Sequence, residues 1–266
     1  MQDFTKFLWL LKLGSLLNIY FITQTIPLYE QIDKQIIIPA LVLFAVSAYR
    51  CLFPNKYEHN IVFHDTVFSS IFVTRFFATF SEVFYIFLFS HVIRILNIEQ
   101  IGWINLLSWI MLIQVVISQF CVWCAILTGK LKLYFYEEFG WAIIFCANTI
   151  ASAYLYFNNI IVGDKNILLK LNLIFAAFYL PWQMLHLYSL FVQGENVKVD
   201  RKSDDDKPLI DIIAKGLKRS LTYRSKRTDS QSWGGFIGLT WMLAYFATLI
   251  PLWVFYIVKT LNNTKF

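Results

Sequence analysis

The sequence predicts an all-α fold, a polytopic transmembrane helical bundle of about seven spans, with six as the alternative. Three observations carry that class. Only 15% of the 266 residues are charged, against about 25% in a soluble domain, which is too few to cover a water-facing surface. Hydrophobic residues make up 58% and aromatic ones 18%, with a mean hydropathy of +0.57. The apolar residues also gather into runs near the ~20 residues that a helix rising about 1.5 Å per residue needs to cross a ~30 Å hydrocarbon core. A soluble enzyme, a secreted disulfide scaffold and a disordered tail are excluded together.

The runs are, in order, Phe7 to Gln24, Ile36 to Phe53, Val67 to Ile93, Trp103 to Thr128, Tyr134 to Phe157, Ile167 to Val192 and Phe236 to Val258. Lys12 and Asn18 interrupt the first, so an interfacial N-terminus is the basis of the six-span alternative. With no small-residue cleavage site after it, this run reads as a retained span rather than a signal. The third is longer than a bilayer requires and is expected to tilt or protrude. Asp65 precedes it as a candidate N-cap.

Cytosolic loops collect Lys and Arg. With seven spans, sixteen fall on the side of the N-terminus and six on the other, Arg75 being intramembrane. That bias puts the N-terminus in the cytosol and the C-terminus outside. Ten of the sixteen lie between Gly194 and Gly235, so the orientation rests mainly on this loop. The expected organisation is spans one to six over 1–193, a cytosolic loop over 194–235, and the last span with a short tail over 236–266.

The loop itself has two parts. Glu195 to Lys207, with Ser203-Asp204-Asp205-Asp206, reads as a solvated linker. Pro208 to Leu221 reads as a helix, with proline at its start and Leu209, Ile213, Leu217 and Leu221 four apart, while Lys215, Lys218 and Arg219 lie off that stripe. Such a helix either lies in the headgroup layer, drawn by anionic lipids along Pro208 to Arg227, or packs on the protein's own cytosolic face. Membrane lipids are therefore the expected partners, with other membrane proteins possible. Nucleic acid is not expected, because the net charge of +6 is concentrated in this one loop.

Polar groups inside spans are costly and normally face the bundle interior. Arg75, Thr79 and Glu82 share a face of the third span, and Gln114, Ser118 and Cys121 a face of the fourth. Glu138, Trp141, Phe145, Asn148 and Ser152 do so on the fifth, Asn172, Tyr179, Gln183 and His186 on the sixth, and Trp241, Tyr245 and Thr248 on the seventh. Together these stripes suggest a polar pocket open toward the cytosol. Its expected binding residues are Arg75, Glu137, Trp141, Asn148, Tyr179, Gln183 and Trp241, with Glu138, His186 and Glu82 as acid–base candidates.

Arg75 and Glu82 are seven positions apart, about 10 Å along a helix, so each is expected to find its partner on another helix, Arg75 with Glu138 or Glu137. Glu82, with no second cation at its depth, is expected to stay protonated and able to relay a proton. Pro181 frees a backbone carbonyl near Trp182 and His186 and is expected to open the sixth span locally. Cys121 and Cys124 form a lone CxxC, read as packing. Glu58, His59, His64 and Asp65 show no metal-ligand spacing, so neither metal nor cofactor is assigned. Asn262-Asn263-Thr264 matches a glycosylation sequon too close to the membrane for use to be expected.

These features suggest a protein that binds, transfers or modifies a lipid or other amphiphile. A proton-linked solute transporter using Glu82 and a structural subunit of a membrane assembly are the alternatives.

Overall fold

A computed structural model describes residues 3–130, 132–161, 163, 165–196 and 208–263. Beyond Asn196 the expected linker over 195–207 lies outside the described residues, as does Thr264 of the sequon.

The protein is an all-α polytopic membrane protein. Among the described residues, seven helical segments are long and apolar enough to cross a membrane: Thr5–Leu28, Lys34–Leu52, Ile71–Leu96, Gly102–Thr128, Lys132–Phe157, Asn166–Val192 and Gly235–Asn262. The first therefore counts as a span, and both of its troublesome polar residues are accommodated. It is made of α1 (Thr5–Leu11) and α2 (Leu13–Thr25). Lys12, between them, lays its ammonium 3.7 Å from the centre of the Trp9 ring. Buried Asn18 donates from Nδ2 to the carbonyls of Gly14 at 2.7 Å and Phe246 at 2.8 Å. An ammonium over an aromatic face and an amide with two acceptors are both compatible with an apolar segment.

The chain divides into two compact units, one of Met1–Tyr85 with Lys218–Phe266 and one of Ile86–Leu217. In the first unit α2 packs on α3 (Lys34–Leu52). Asp33 starts α3 by accepting from the Gln35 N–H at 2.8 Å, the usual role of an N-cap carboxylate. A small sheet follows, in which β1 (Asn55–Lys56) runs antiparallel to β2 (Ile61–Val62) and β2 parallel to β3 (Ser225–Lys226).

The helix α4 (Ile71–Leu96) begins four residues later than the third apolar run, after a 3-10 turn over Val67–Ser69. The cap is accordingly not Asp65, whose carboxylate pairs with Arg224 at 2.6 Å. Ser70 takes that place, its Oγ accepting from the Val73 N–H at 3.4 Å.

The last span is not one regular helix. α9 (Gly235–Met242) passes into a π-turn over Leu243–Ala247, and α10 (Leu249–Asn263) resumes beyond Thr248, whose φ of −131° and ψ of −79° leave the helical region. Pro251 supplies the reason, because it has no N–H for the carbonyl four residues back, at Ala247.

In the second unit α6 (Lys132–Phe157) packs against both α5 (Gly102–Thr128) and α7 (Asn166–Asn196). Gly140 permits the close approach to α5, since a Cβ there would lie 2.0 Å from Ser118 Oγ. α7 runs unbroken through Pro181, so the local opening expected there does not occur.

The helix expected in the long loop is present as α8 (Leu209–Thr222). Gly216 is its point of contact with the α5 end: a Cβ would stand 1.8 Å from the Leu127 carbonyl oxygen. Gly216 and Ser220 are buried, whereas Leu209, Ile210, Ile213, Leu217 and Leu221 are all exposed.

Candidate functional site

The candidate residues fall on both units and are described unit by unit. In the first, Arg75 is 1% exposed and Glu82 5%, and they meet directly. Arg75 Nη2 donates to Glu82 Oε2 at 2.9 Å and Nη1 to Oε1 at 3.4 Å. This overturns the expectation that the two would not meet, although Glu82 does also find a partner on another helix. The two side chains converge along one face and close the two-turn gap, while Thr79 between them donates its hydroxyl to the Arg75 carbonyl at 2.9 Å.

Arg50, near the end of α3, adds a second guanidinium 3.6 Å from Glu82 Oε1. A second cation thus does stand at the depth of Glu82, and the premise of a lone protonated carboxyl is not met. Arg50 counts among the sixteen cations on the side of the N-terminus, although it lies three residues inside the end of its apolar run, Ile36 to Phe53. Phe246 of the π-turn covers the Arg50 guanidinium at 3.8 Å, and the Tyr57 ring lies 5.6 Å from Arg50 and 5.5 Å from Arg75. Trp241 joins this unit through its ring contact with Tyr245 at 5.3 Å.

In the second unit α6 and α7 bring together Glu138, Gln183 and His186. Gln183 is buried, and its Nε2 donates both to the Glu138 carbonyl at 2.8 Å and to Glu138 Oε2 at 2.9 Å. His186 Nε2 lies 3.9 Å from the other carboxylate oxygen, Oε1. The carboxylate is thereby fixed through one oxygen, with the other turned to the imidazole. Both side chains keep partial exposure, 19% for Glu138 and 31% for His186, so they are reachable from outside the helix pair. An acid and a base held within a small adjustment of hydrogen-bonding distance can exchange a proton through a bound polar group.

Aromatic rings continue from this cluster. Trp182 stacks on His186 with centres 5.1 Å apart and lies 6.1 Å from Tyr179. Tyr179 touches Phe145 at 4.5 Å, and Phe145 stacks with Trp141 at 6.2 Å. Asn148 and Ser152 of α6 form a separate buried cluster, both accepting from Asn172 Nδ2 of α7, at 3.4 and 2.9 Å. Glu137 is buried too, and its backbone carbonyl accepts from the Ser118 hydroxyl at 3.2 Å. The stripes read from helical spacing on the fifth and sixth apolar runs therefore do face one another.

All four cysteines are free thiols. Among the described residues no three His, Cys, Asp or Glu side chains gather closely enough to hold a metal ion. Compared with known proteins, the chain matches no family model, no curated protein and no solved structure.

Proposed function

We propose that this multi-pass membrane protein binds a lipid or other amphiphile at the Glu138–Gln183–His186 cluster and transfers or modifies it. One observation carries the reading: a carboxylate and an imidazole stand 3.9 Å apart on neighbouring membrane helices, at the head of a row of aromatic rings. The polar pair suits a headgroup, and the rings suit the apolar remainder of the same molecule. If the bound molecule is modified, Glu138 and His186 are the base and acid, and Gln183 is the positioning residue that orients the carboxylate.

Two further features support a lipid setting. The apolar stripe of α8 is exposed, from Leu209 at 63% to Ile213 at 36%, and Lys215, Lys218 and Arg219 accompany it. That arrangement favours a helix lying in the headgroup layer over one that packs its stripe on the protein. The distribution of Lys and Arg supports a cytosolic N-terminus, which puts α8 at the anionic cytosolic leaflet.

The test is a mass-spectrometric inventory of what stays with the full chain in mild detergent. A stoichiometric amphiphile is expected with the wild type, and at least a tenfold loss with Glu138→Gln and His186→Ala in preparations that remain monodisperse. Equal retention in all three, or a fixed set of other membrane subunits with no amphiphile, would overturn the reading, the latter in favour of a structural role.

A further inference from the structure

At the junction of α4 and α5, within the second unit, Arg94, Asn97, Ile98, Gln100, Asn105 and Trp109 line a cavity of about 490 Å³. Asn97 folds the junction. Its Nδ2 donates to the Ile101 carbonyl and to Asn105 Oδ1, and its Oδ1 accepts from the Ile101 N–H, each at 3.0 Å.

Arg94 is held in place by neutral groups only. Its Nη1 donates to Ser90 Oγ at 2.5 Å and Ser108 Oγ at 3.2 Å, and its guanidinium lies 4.7 Å from the centre of the Trp109 ring. No carboxylate among the described residues forms an ion pair with it. Glu99, the one acidic residue from 94 to 109, is exposed and does not line the cavity. A partly buried guanidinium has lost water without gaining a counter-charge, and its Nε–Nη2 edge makes no hydrogen bond to the described residues. The side-chain N–H groups of Gln100 and Asn105 Nδ2 likewise have no acceptor among them. An oxyanion is the ligand that would meet all of these donors at once, because a guanidinium edge matches two of its oxygens.

The place in the fold narrows the class further. Arg94 ends one span and Asn105 begins the next, the level at which lipid headgroups lie. A volume near 490 Å³ falls within the range of small-molecule sites. We infer that the α4–α5 cavity binds a phosphate-type oxyanion, the headgroup of a membrane amphiphile, with Arg94 as the charged anchor. The site is separate from Glu138 and His186. Arg94 bonds Ser108, whereas Ser118, which meets the Glu137 carbonyl, lies ten residues further along α5, about 15 Å.

The test uses the full chain in detergent and native mass spectrometry with three probes: phosphatidic acid, diacylglycerol with the same acyl chains, and inorganic phosphate. Phosphatidic acid should be retained at least tenfold better than diacylglycerol, and Arg94→Gln should remove about tenfold of that retention. Gln100→Glu changes an exposed position, so it spares the fold while setting a negative charge at the rim, and it should also lower retention severalfold. Displacement by inorganic phosphate would assign the site to the free anion, and failure to displace would assign it to the headgroup. Equal retention of the two lipids, or retention unchanged in both variants, would overturn the inference. Retention that survives Glu138→Gln but not Arg94→Gln belongs to this cavity, and the reverse pattern removes it.

Discussion

Arg75 and Glu82 lie two helical turns apart on α4 and yet meet at 2.9 Å, with the Arg50 guanidinium of α3 on the second carboxylate oxygen at 3.6 Å. One carboxylate therefore ties two helices of the first unit together inside an apolar layer. Each of the three charges would be costly there alone, so their mutual compensation specifies how α3 and α4 are packed.

Removing the pair should cost less than the two single removals added together. Arg75→Gln or Glu82→Gln should each cost about 3–5 kcal/mol, as expected when a buried charge loses its partner. The double variant Arg75→Met with Glu82→Met should cost less than the sum of the corresponding single variants, with a coupling energy of about 1–3 kcal/mol. Thermal unfolding in detergent measures all of them. Strict additivity would show that the 2.9 Å contact contributes nothing of its own.

The π-turn of the last span leaves carbonyls without their usual helical donors, and Asn18 of α2 supplies one to Phe246 at 2.8 Å. Asn18→Leu keeps the size and removes the donor. It should destabilise by about 1–2 kcal/mol and raise hydrogen exchange of the amides over Leu243 to Leu252 more than elsewhere. A uniform rise along α9 and α10 would mean that the amide is not what holds the turn.

The spans were readable because hydropathy over some 20 residues averages out local exceptions. The facing stripes of α6 and α7 were readable for a related reason, since a polar side chain buried in an apolar span needs a partner. The pairing of Arg75 was not. Two turns of axial separation suggest that the side chains cannot meet, whereas an arginine and a glutamate together are long enough to close them. Arg50 escaped because a cation near the end of an apolar run reads as a loop charge, and Arg94 escaped in the same way at the far end of α4. For the π-turn the sequence does hold a signal, Pro251, whose missing N–H falls on Ala247. That signal is weak because a proline early in a helix is ordinarily harmless, but here the preceding segment is itself helical. Asp65 had the residue type and place of a cap, but Arg224, 159 residues away, engages it instead.

The exposed face of α8 makes a prediction about depth. A fluorophore on Ile210→Cys, in a cysteine-free background, should be quenched by lipid-borne quenchers and shielded from iodide in nanodiscs containing anionic lipid. The shielding should weaken when the lipid is wholly zwitterionic, because Lys215, Lys218 and Arg219 then lose their attraction. Full access to iodide in both lipids would place the stripe in water. Gly216→Leu should also change the signal, since a side chain there meets the Leu127 carbonyl and must lift the helix.

His64, outside the spans, gives the chain a pH dependence of definite sign. Its ring packs against Phe63 at 4.5 Å and Trp9 at 5.9 Å, and its Nε2 is buried without a hydrogen bond. Burial holds its pKa below the usual histidine range, and the positive charges of Lys12 and Lys226 push in the same direction. The folded protein therefore favours the neutral ring. In the unfolded chain the same residue takes up its proton near pH 6.5. Above that value both states are neutral and the contribution to stability is constant. As the pH falls below it, the unfolded chain binds the proton first, so stability declines until the folded-state value is passed. His64→Gln cannot titrate and should lose that part of the decline. Melting temperatures in detergent from pH 8 to 5 should fall more steeply for the wild type than for the variant. Parallel curves would show that His64 does not carry the acid sensitivity.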